Sequence, residues 1–342
     1  MKLLQFADPA DGQHVGLVDG DDVVDLTQVS YQPRSIFELY YDRGGNTQGL
    51  VPVVEKLLEA AAGARRLPWE TLMRARSTAR PHLLKPVSGP QGQPHALRIW
   101  LAGVTHEVSA KLRDIEARQS TGEGVSVYDQ KYRECAAGGR PELFPKNDPD
   151  AVVAHGRPVT RPADTLRLVP ETELVSVYGL RQDGQVERLG YTGGNDVTDN
   201  GIEANNPLNL PQAKNWADGC ASLGPVLVTA DEYDDGAVQV SCEVIRNGSR
   251  VAYKDGETGQ DRLNMPDRLL HMERTLFSRL PLRPRELQVL YWGTPIVFAE
   301  QDFAGGLQAG DTMRLHFSGG IGELANEVVD LPAIDQWRHL QG

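Results

Sequence analysis

The sequence predicts an α+β fold that is mostly β. Three observations carry this expectation. Short alternating strands separated by Asp and Gly turns open the chain, and an amphipathic helix follows them. A Pro-rich stretch with Pro81, Pro86, Pro90 and Pro94 then interrupts the pattern. From residue 166 onward strand patterns dominate, with turns at Asp183-Gly184, Asp235-Gly236 and Asn247-Gly248 and few helical stretches. The expected organisation is a small α+β N-terminal domain, 1–85, joined to a β-rich domain, 86–342.

Taken in order, Leu3 to Phe6, Val15 to Val18 and Val23 to Leu26 read as strands around turns at Asp8 to Gly12 and Asp19 to Asp21. Ser35 is a candidate cap for a helix reaching Tyr41, because its hydroxyl can accept from a free N–H of the first turn. Residues 51–62 carry Val54, Leu57, Leu58 and Ala61 on one stripe and predict a helix. Ile99 to Val104 is a buried strand candidate, and 107–118 a helix with Val108, Leu112 and Ile115 on one face. Tyr128 to Tyr132 opens or continues a second helix. The Gly and Pro content of 138–146 predicts a loop. Further on, 267–279 reads as a helix, and 287–292 and 312–318 as strands.

Composition excludes several functions. The 342 residues are 40% hydrophobic and 24% charged, as in an ordinary soluble globule. The net charge of −12 argues against nucleic acid or an anionic membrane as partner. No apolar run approaches the ~20 residues of a membrane span. Asp8 comes too early for a signal peptide, and Cys135, Cys220 and Cys242 lack zinc or redox spacing. A cytoplasmic protein with reduced thiols is expected. The eight His are scattered without a zinc-like pair, and no Gly-x-Ser-x-Gly marks a serine nucleophile.

Chemistry concentrates between residues 170 and 225. Glu171 and Glu173, two apart among Val169, Leu174, Val175 and Val177, fall on one face of a strand. Such a pair is ordinarily a solvated edge. Buried, it repels itself and needs a compensating cation. Asp196, in a Gly-rich turn within Gly190 to Thr198, can supply a third oxygen ligand. Lys214, after Asn206-Pro207-Leu208-Asn209-Leu210-Pro211-Gln212-Ala213, is then the nearest candidate proton carrier.

Further motifs stand in a fixed order with these: Gly194-Asn195-Asp196-Val197-Thr198, Leu223-Gly224-Pro225, Gly293-Thr294-Pro295, Gly310-Asp311, and Ile321-Gly322 through Val328. As an ordered set over roughly 95–330 they resemble the fumarylacetoacetate hydrolase superfamily. The resemblance implies a mixed β-roll of mostly antiparallel sheets. It also implies a divalent ion, usually Mg²⁺ with Mn²⁺ as the alternative, held by Glu171, Glu173 and Asp196. Such a hard cation takes carboxylates and leaves positions for a chelating 2-keto acid. A homodimer or homotetramer is expected on the same ground.

The branch is implied by local sequence. Hydrolases of the superfamily carry Asn-Tyr and a lid His where this chain reads Gly103-Val104-Thr105-His106-Glu107-Val108-Ser109. The water-activating pair is not where hydrolysis needs it. Gly103 to Thr105, Tyr128-Asp129, Arg140-Pro141-Glu142-Leu143-Phe144 with Lys146, and the run ending in Lys214 resemble instead the branch that dehydrates 2-keto-3-deoxy pentonates. The reaction implied converts 2-keto-3-deoxy-D-arabinonate to 2,5-dioxopentanoate in pentose catabolism. Glu142 and Lys214 match the branch's catalytic positions, with acid and base unassigned between them. Thr294, Gly293, Thr105, Ser109 and Lys146 are candidate substrate contacts. Two competing readings are an acylpyruvate or diketo-acid C–C hydrolase, with His106 as its base, and a non-catalytic sugar-acid binder.

Overall fold

The structure, a computed structural model, describes residues 1–29, 32–107, 127–146 and 148–332. The helix expected over 107–118, apart from Glu107, lies outside them, as does the candidate contact Ser109. Strands exceed helices, and the sheets are mixed, in agreement with the predicted α+β class.

The N-terminal strands form as the alternation predicts: β1 (Lys2–Asp8), β2 (Gly12–Asp19) and β3 (Asp22–Asp25). Helix α1 (Ile36–Tyr41) starts where expected, with the Ser35 hydroxyl accepting from the Glu38 N–H. After the short α2 (Gly45–Gln48) comes α3 (Leu50–Glu59), which buries Leu50, Val53, Val54 and Leu57 along one stripe. Then follow β4 (Arg66–Pro68), α4 (Trp69–Arg74), β5 (His82–Leu83) and β6 (Leu97–Gly103).

Helix α5 (Val127–Ala136) precedes β7 (Glu142–Lys146). This strand corrects the loop expected over 138–146. It runs antiparallel to β6 at the edge of the sheet, with Pro145 opposite Trp100. An edge strand needs ladder bonds on one side only, so its outward side tolerates a Pro. β8 (Val152–Ala154), β9 (Val159–Arg161) and β10 (Leu168–Val169) lead to β11 (Thr172–Leu180) and β12 (Val186–Asn195). β13 (Thr198–Asp199), α6 (Asn200–Asn205) and α7 (Leu210–Lys214) follow, then β14 (Ala221–Thr229), β15 (Val238–Arg246) and β16 (Ser249–Thr258). Helix α8 (Leu269–Arg279), β17 (Leu287–Tyr291), β18 (Thr312–Phe317) and β19 (Gly322–Asp330) complete the described elements.

Among the described residues the main sheet has the order β4-β3-β2-β1-β14-β12-β11-β17-β6-β7, with β5 on β1 and β8 on β14. A second sheet has the order β16-β15-β18-β19-β9. β11 is buried along nearly its whole length, so its apolar residues Leu174, Val175, Val177 and Tyr178 fall on both faces. β15 alternates, because one of its faces packs inward and the other meets solvent. The N-terminal strands continue the main sheet through the β1–β14 pairing, Lys2 opposite Val228. No helix among the described residues is long and apolar enough to cross a membrane.

Candidate active site

Two neighbouring strands bring the carboxylates together. The β11–β12 register sets Thr172 opposite Asn195 and Glu173 opposite Gly194, so Glu171 and Asp196 meet just beyond the paired ends. The Asp196 N–H donates to the Glu171 carbonyl at 3.0 Å, and the Glu171 N–H to Asn195 Oδ1 at 3.0 Å. Glu171, Glu173 and Asp196 are all buried, and each offers an oxygen within 4.8 Å of the others'. The Gly193-Gly194 pair lies inside β12 rather than in the turn the sequence suggested. A Cβ on Gly194 would stand 2.2 Å from the Tyr291 ring, and one on Gly193 2.4 Å from the Phe317 ring. These glycines admit aromatic rings against the strand that carries Asp196.

A backbone amide holds the Glu173 carboxylate. The Gly293 N–H donates to Glu173 Oε2 at 2.7 Å. Gly293 has φ +86°, and a Cβ there would meet Thr105 Oγ1 at 2.2 Å, so only glycine serves. The Thr105 hydroxyl is directed to the Trp292 carbonyl at 2.5 Å. It buttresses the Gly293 turn from behind.

Two buried lysines answer the carboxylates. Lys214, at the end of α7, donates to Glu171 Oε2 at 2.8 Å, Asp196 Oδ2 at 2.8 Å and Thr198 Oγ1 at 2.7 Å. That uses all three donors of an ammonium. Lys146, at the end of β7, donates to Asp196 Oδ1 at 2.5 Å and to the Lys214 carbonyl. Burial pushes the Lys214 ammonium toward losing its proton, but Asp196, Glu171, Glu203 and Glu173 outweigh it and hold the pKa above the lysine range. Burial raises Asp196 as well, and the two lysines more than offset this, leaving its carboxyl below the usual range. Glu173 goes the other way. Burial, then Asp196 and Glu171, push its carboxyl well above the usual range, and Lys214 and the Gly293 amide only partly oppose this.

The cleft over this group is lined by Glu142, Glu203 and Tyr128 on its polar side and by Phe144, Val104 and Leu210 on its apolar side. Glu142 is placed by the β6–β7 pairing, opposite Gly103, and a Cβ on Gly103 would stand 2.0 Å from its Oε2. Glu171 and Asp196 thus meet the ammoniums of Lys146 and Lys214, and Glu173, Glu142 and Glu203 line the same cleft. One divalent cation would offset the mutual repulsion of the three clustered carboxylates. An all-oxygen, buried, mutually repelling donor set suits a hard cation such as Mg²⁺ or Mn²⁺. At an effective dielectric near 20 a pair of opposite charges ~4 Å apart gains about 4 kcal/mol. The Glu173 carboxyl, held toward its protonated form without an ion, is the group such a cation would ionise.

The structure brings Glu142, Lys214, Gly293 and Thr294 into one cleft with the triad. Thr294 is buried, its hydroxyl donating to the Ile296 carbonyl at 2.7 Å. Lys146 and Thr105 sit behind the cleft rather than on it, the first on Asp196 and the second on Trp292. His106 is turned away. Its ring nitrogens bond to the Thr105 hydroxyl at 2.9 Å and the Thr258 hydroxyl at 3.0 Å, and it borders a separate hollow with Glu107 and Tyr132. Burial lowers its pKa to about 4. Sequence reasoning missed Glu203. Its one signal is Asp199, whose carboxylate accepts from the Ile202 N–H at 3.2 Å and starts the helix carrying Glu203.

The chain is similar in sequence and in fold to known proteins. The model of the fumarylacetoacetate (FAA) hydrolase C-terminal family matches residues 119–329. A probable 2-keto-3-deoxyxylonate dehydratase of Haloferax volcanii is 36% identical over 234 residues, 68% of this chain and 72% of that protein. A 2-dehydro-3-deoxy-D-arabinonate dehydratase of Saccharolobus solfataricus is 34% identical over 167 residues, 48% of this chain and 50% of that protein. Among solved structures, a 2-keto-3-deoxyarabinonate dehydratase superposes with a TM-score of 0.71 at 24% identity, over 97% of this chain and 100% of that one. A 2-keto-3-deoxy-D-arabinonate dehydratase complexed with magnesium and 2,5-dioxopentanoate gives 0.68 at 23% identity, with the same coverage.

Proposed function

The chain belongs to the fumarylacetoacetate hydrolase family, and from that membership we propose that it is a Mg²⁺-dependent dehydratase converting 2-keto-3-deoxy-D-arabinonate to 2,5-dioxopentanoate. One observation carries this reading: Glu142 and Lys214 line the same buried cleft as the carboxylate triad, whereas His106 borders a different hollow. A Lys and a Glu at one site suit elimination, and a hydrolase needs a base positioned for water. The names of the two curated relatives support the same substrate class.

Glu171, Glu173 and Asp196 would hold the ion. Bound there, Mg²⁺ or Mn²⁺ would supply Lewis-acid polarisation of a 2-keto acid and offset its carboxylate charge. The chain's own groups carry the protons. Lys214, kept charged by the acids around it, is the proton donor, and Glu142 the base. Glu142 takes a C3 proton, made acidic by the neighbouring ketone. The C4 hydroxyl leaves with the Lys214 proton as water. Glu142 returns its proton at C3 while a C5 proton goes back to Lys214, and the resulting enol becomes the aldehyde. The sum is the loss of one water. Lys146 orients Asp196, Gly293 orients Glu173, and Phe144 and Leu210 exclude solvent.

We infer further that the enzyme works in the cytoplasm, consistent with its three free buried cysteines. We also infer that it assembles as a homodimer or homotetramer; a monomer by analytical ultracentrifugation at assay concentration would overturn that. The deciding test of function is a mass-resolved product assay with 2-keto-3-deoxy-D-arabinonate, an acylpyruvate and EDTA controls. EDTA-sensitive loss of one water giving 2,5-dioxopentanoate is expected. Pyruvate from the acylpyruvate, with the sugar acid untouched, would overturn the proposal in favour of hydrolysis.

A further inference from the structure

The cleft holds one carboxylate that neither the metal triad nor the elimination uses. Glu203 is 5% exposed and lines the cleft beside Tyr128, whose hydroxyl lies 3.5 Å from Glu203 Oε1. It is not one of the three acids whose oxygens lie within 4.8 Å of one another. Its helix is held firmly. Asp199 accepts from the backbone N–H groups of Leu166 at 3.0 Å, Arg167 at 3.1 Å and Ile202 at 3.2 Å, and Asn200 Oδ1 accepts from the Arg167 guanidinium at 2.5 Å. α6 then packs against α7, which carries Lys214. A buried acid on so fixed a support is placed for a defined contact.

Resting on the dehydratase reading above, we propose that Glu203, with Tyr128, sets substrate specificity by accepting hydrogen bonds from the hydroxyl groups at the far end of the 2-keto acid. An ionised carboxylate only accepts, so the group it faces must donate. A second carboxylate on the substrate, which offers only lone pairs, is unwelcome beside Glu203. An acyl carbonyl offers only an acceptor and meets Glu203 lone pair to lone pair. A terminal hydroxyl offers the needed proton. With C1 and C2 of the substrate at the triad, the C4 and C5 hydroxyls are the donors left for the remaining walls. The cleft is therefore built for a polyhydroxy 2-keto acid and against both acylpyruvates and diacids. A site that hydrogen-bonds a substrate hydroxyl rejects the analogue lacking it far more strongly than an apolar pocket discriminates a methylene.

The test compares 2-keto-3-deoxy-D-arabinonate with 4-hydroxy-2-oxopentanoate, which lacks only the terminal hydroxyl. Water loss from each is followed by mass, as kcat/KM, in wild type, Glu203→Gln, Glu203→Met and Tyr128→Phe. Wild type should prefer the hydroxylated substrate by about 100-fold or more. Glu203→Met should bring the ratio to within about 5-fold, and Glu203→Gln, which keeps a carbonyl acceptor, should fall between. An unchanged ratio in a Glu203→Met protein with wild-type melting would overturn the proposal, as would a wild type without the preference. If Glu203→Met does not fold, Tyr128→Phe decides: a ratio lowered about 5-fold supports the pair, and an unmoved ratio sinks it. Wild type that dehydrates neither compound fails the functional reading itself, and this inference falls with it. That outcome is distinct from dehydration with an unmoved ratio.

Discussion

At Lys214 one side chain does two jobs that can be separated. Its ammonium bridges Glu171 and Asp196, and it is the proposed proton donor. Lys214→Met should lower turnover at least about 100-fold, the usual scale of general acid catalysis. The same change removes a positive charge from beside the triad, so affinity for Mn²⁺ should hold or rise. Calorimetric titration of Mn²⁺ alongside a turnover assay checks both, and unchanged turnover in a folded variant would end the proton-donor role. Lys146→Met likewise removes a positive charge from Asp196, so Mn²⁺ affinity should again hold or rise, whereas turnover should fall less than in Lys214→Met because Lys146 lies behind the cleft. Buried histidines set the acid limit. His106 and His155 both have pKa values lowered to about 4 by burial. Between pH 6.5 and 4 the unfolded chain therefore binds more protons than the native one, so stability falls as pH falls through that window. Each neutral imidazole accounts for roughly 3 kcal/mol of that loss. His106→Gln, which keeps hydrogen-bonding ends toward Thr105 and Thr258, should show a shallower fall in urea midpoint between pH 7 and 4.

Among the elements, β12 is where sequence and structure part company, and the reason is packing. Glu171 and Glu173 were legible because a two-residue spacing inside an apolar run has one geometric meaning. Asp196 and Lys214 were legible only through the order of surrounding motifs. The glycines before Asp196 read as a turn, since sequence alone cannot show that the Tyr291 and Phe317 rings lie against the strand. β7 was hidden for a related reason. Gly139, Pro141 and Pro145 signal a loop locally, and only the partner β6 makes 142–146 a strand. Glu203 carried no spacing signal, because its place in the cleft comes from the caps that aim α6. The glycines make a prediction of their own. Gly194→Ala would drive a Cβ to 2.6 Å from Val175 Cγ2 as well as into the Tyr291 ring. Overpacking of that kind costs about 1–3 kcal/mol. Urea unfolding should show the loss, and Mn²⁺ affinity should drop with it, because the strand that shifts leads directly into Asp196, one of the proposed metal-holding carboxylates.

In the whole molecule, packing crosses the Pro-rich stretch that the sequence pattern uses as a divider. Leu4, Phe6, Val23 and Leu83 share one apolar cluster with Tyr191, Val226 and Val228, while Leu3, Val15 and Leu17 share another with Val175, Leu227 and Val289. The chain's first amide group joins in: the Met1 carbonyl accepts from the Thr229 N–H at 2.9 Å, and the Met1 ammonium donates to Thr229 Oγ1 at 2.6 Å. β14 in turn pairs with β12, the strand that leads into Asp196. Removing residues 1–85 would therefore expose an edge of β14 and open both clusters two strands from the carboxylate triad. An unpaired apolar edge invites association with other chains. The fragment 86–342 should be aggregation-prone and bind Mn²⁺ weakly, whereas supplying 1–85 as a separate chain should restore both solubility and metal affinity in part. Light scattering and Mn²⁺ titration on the fragment, alone and reconstituted, measure this directly. A monodisperse 86–342 fragment with full metal affinity would mean that the triad is held by the β11–β12–β17 core alone. The first 85 residues would then contribute nothing to the geometry of the site.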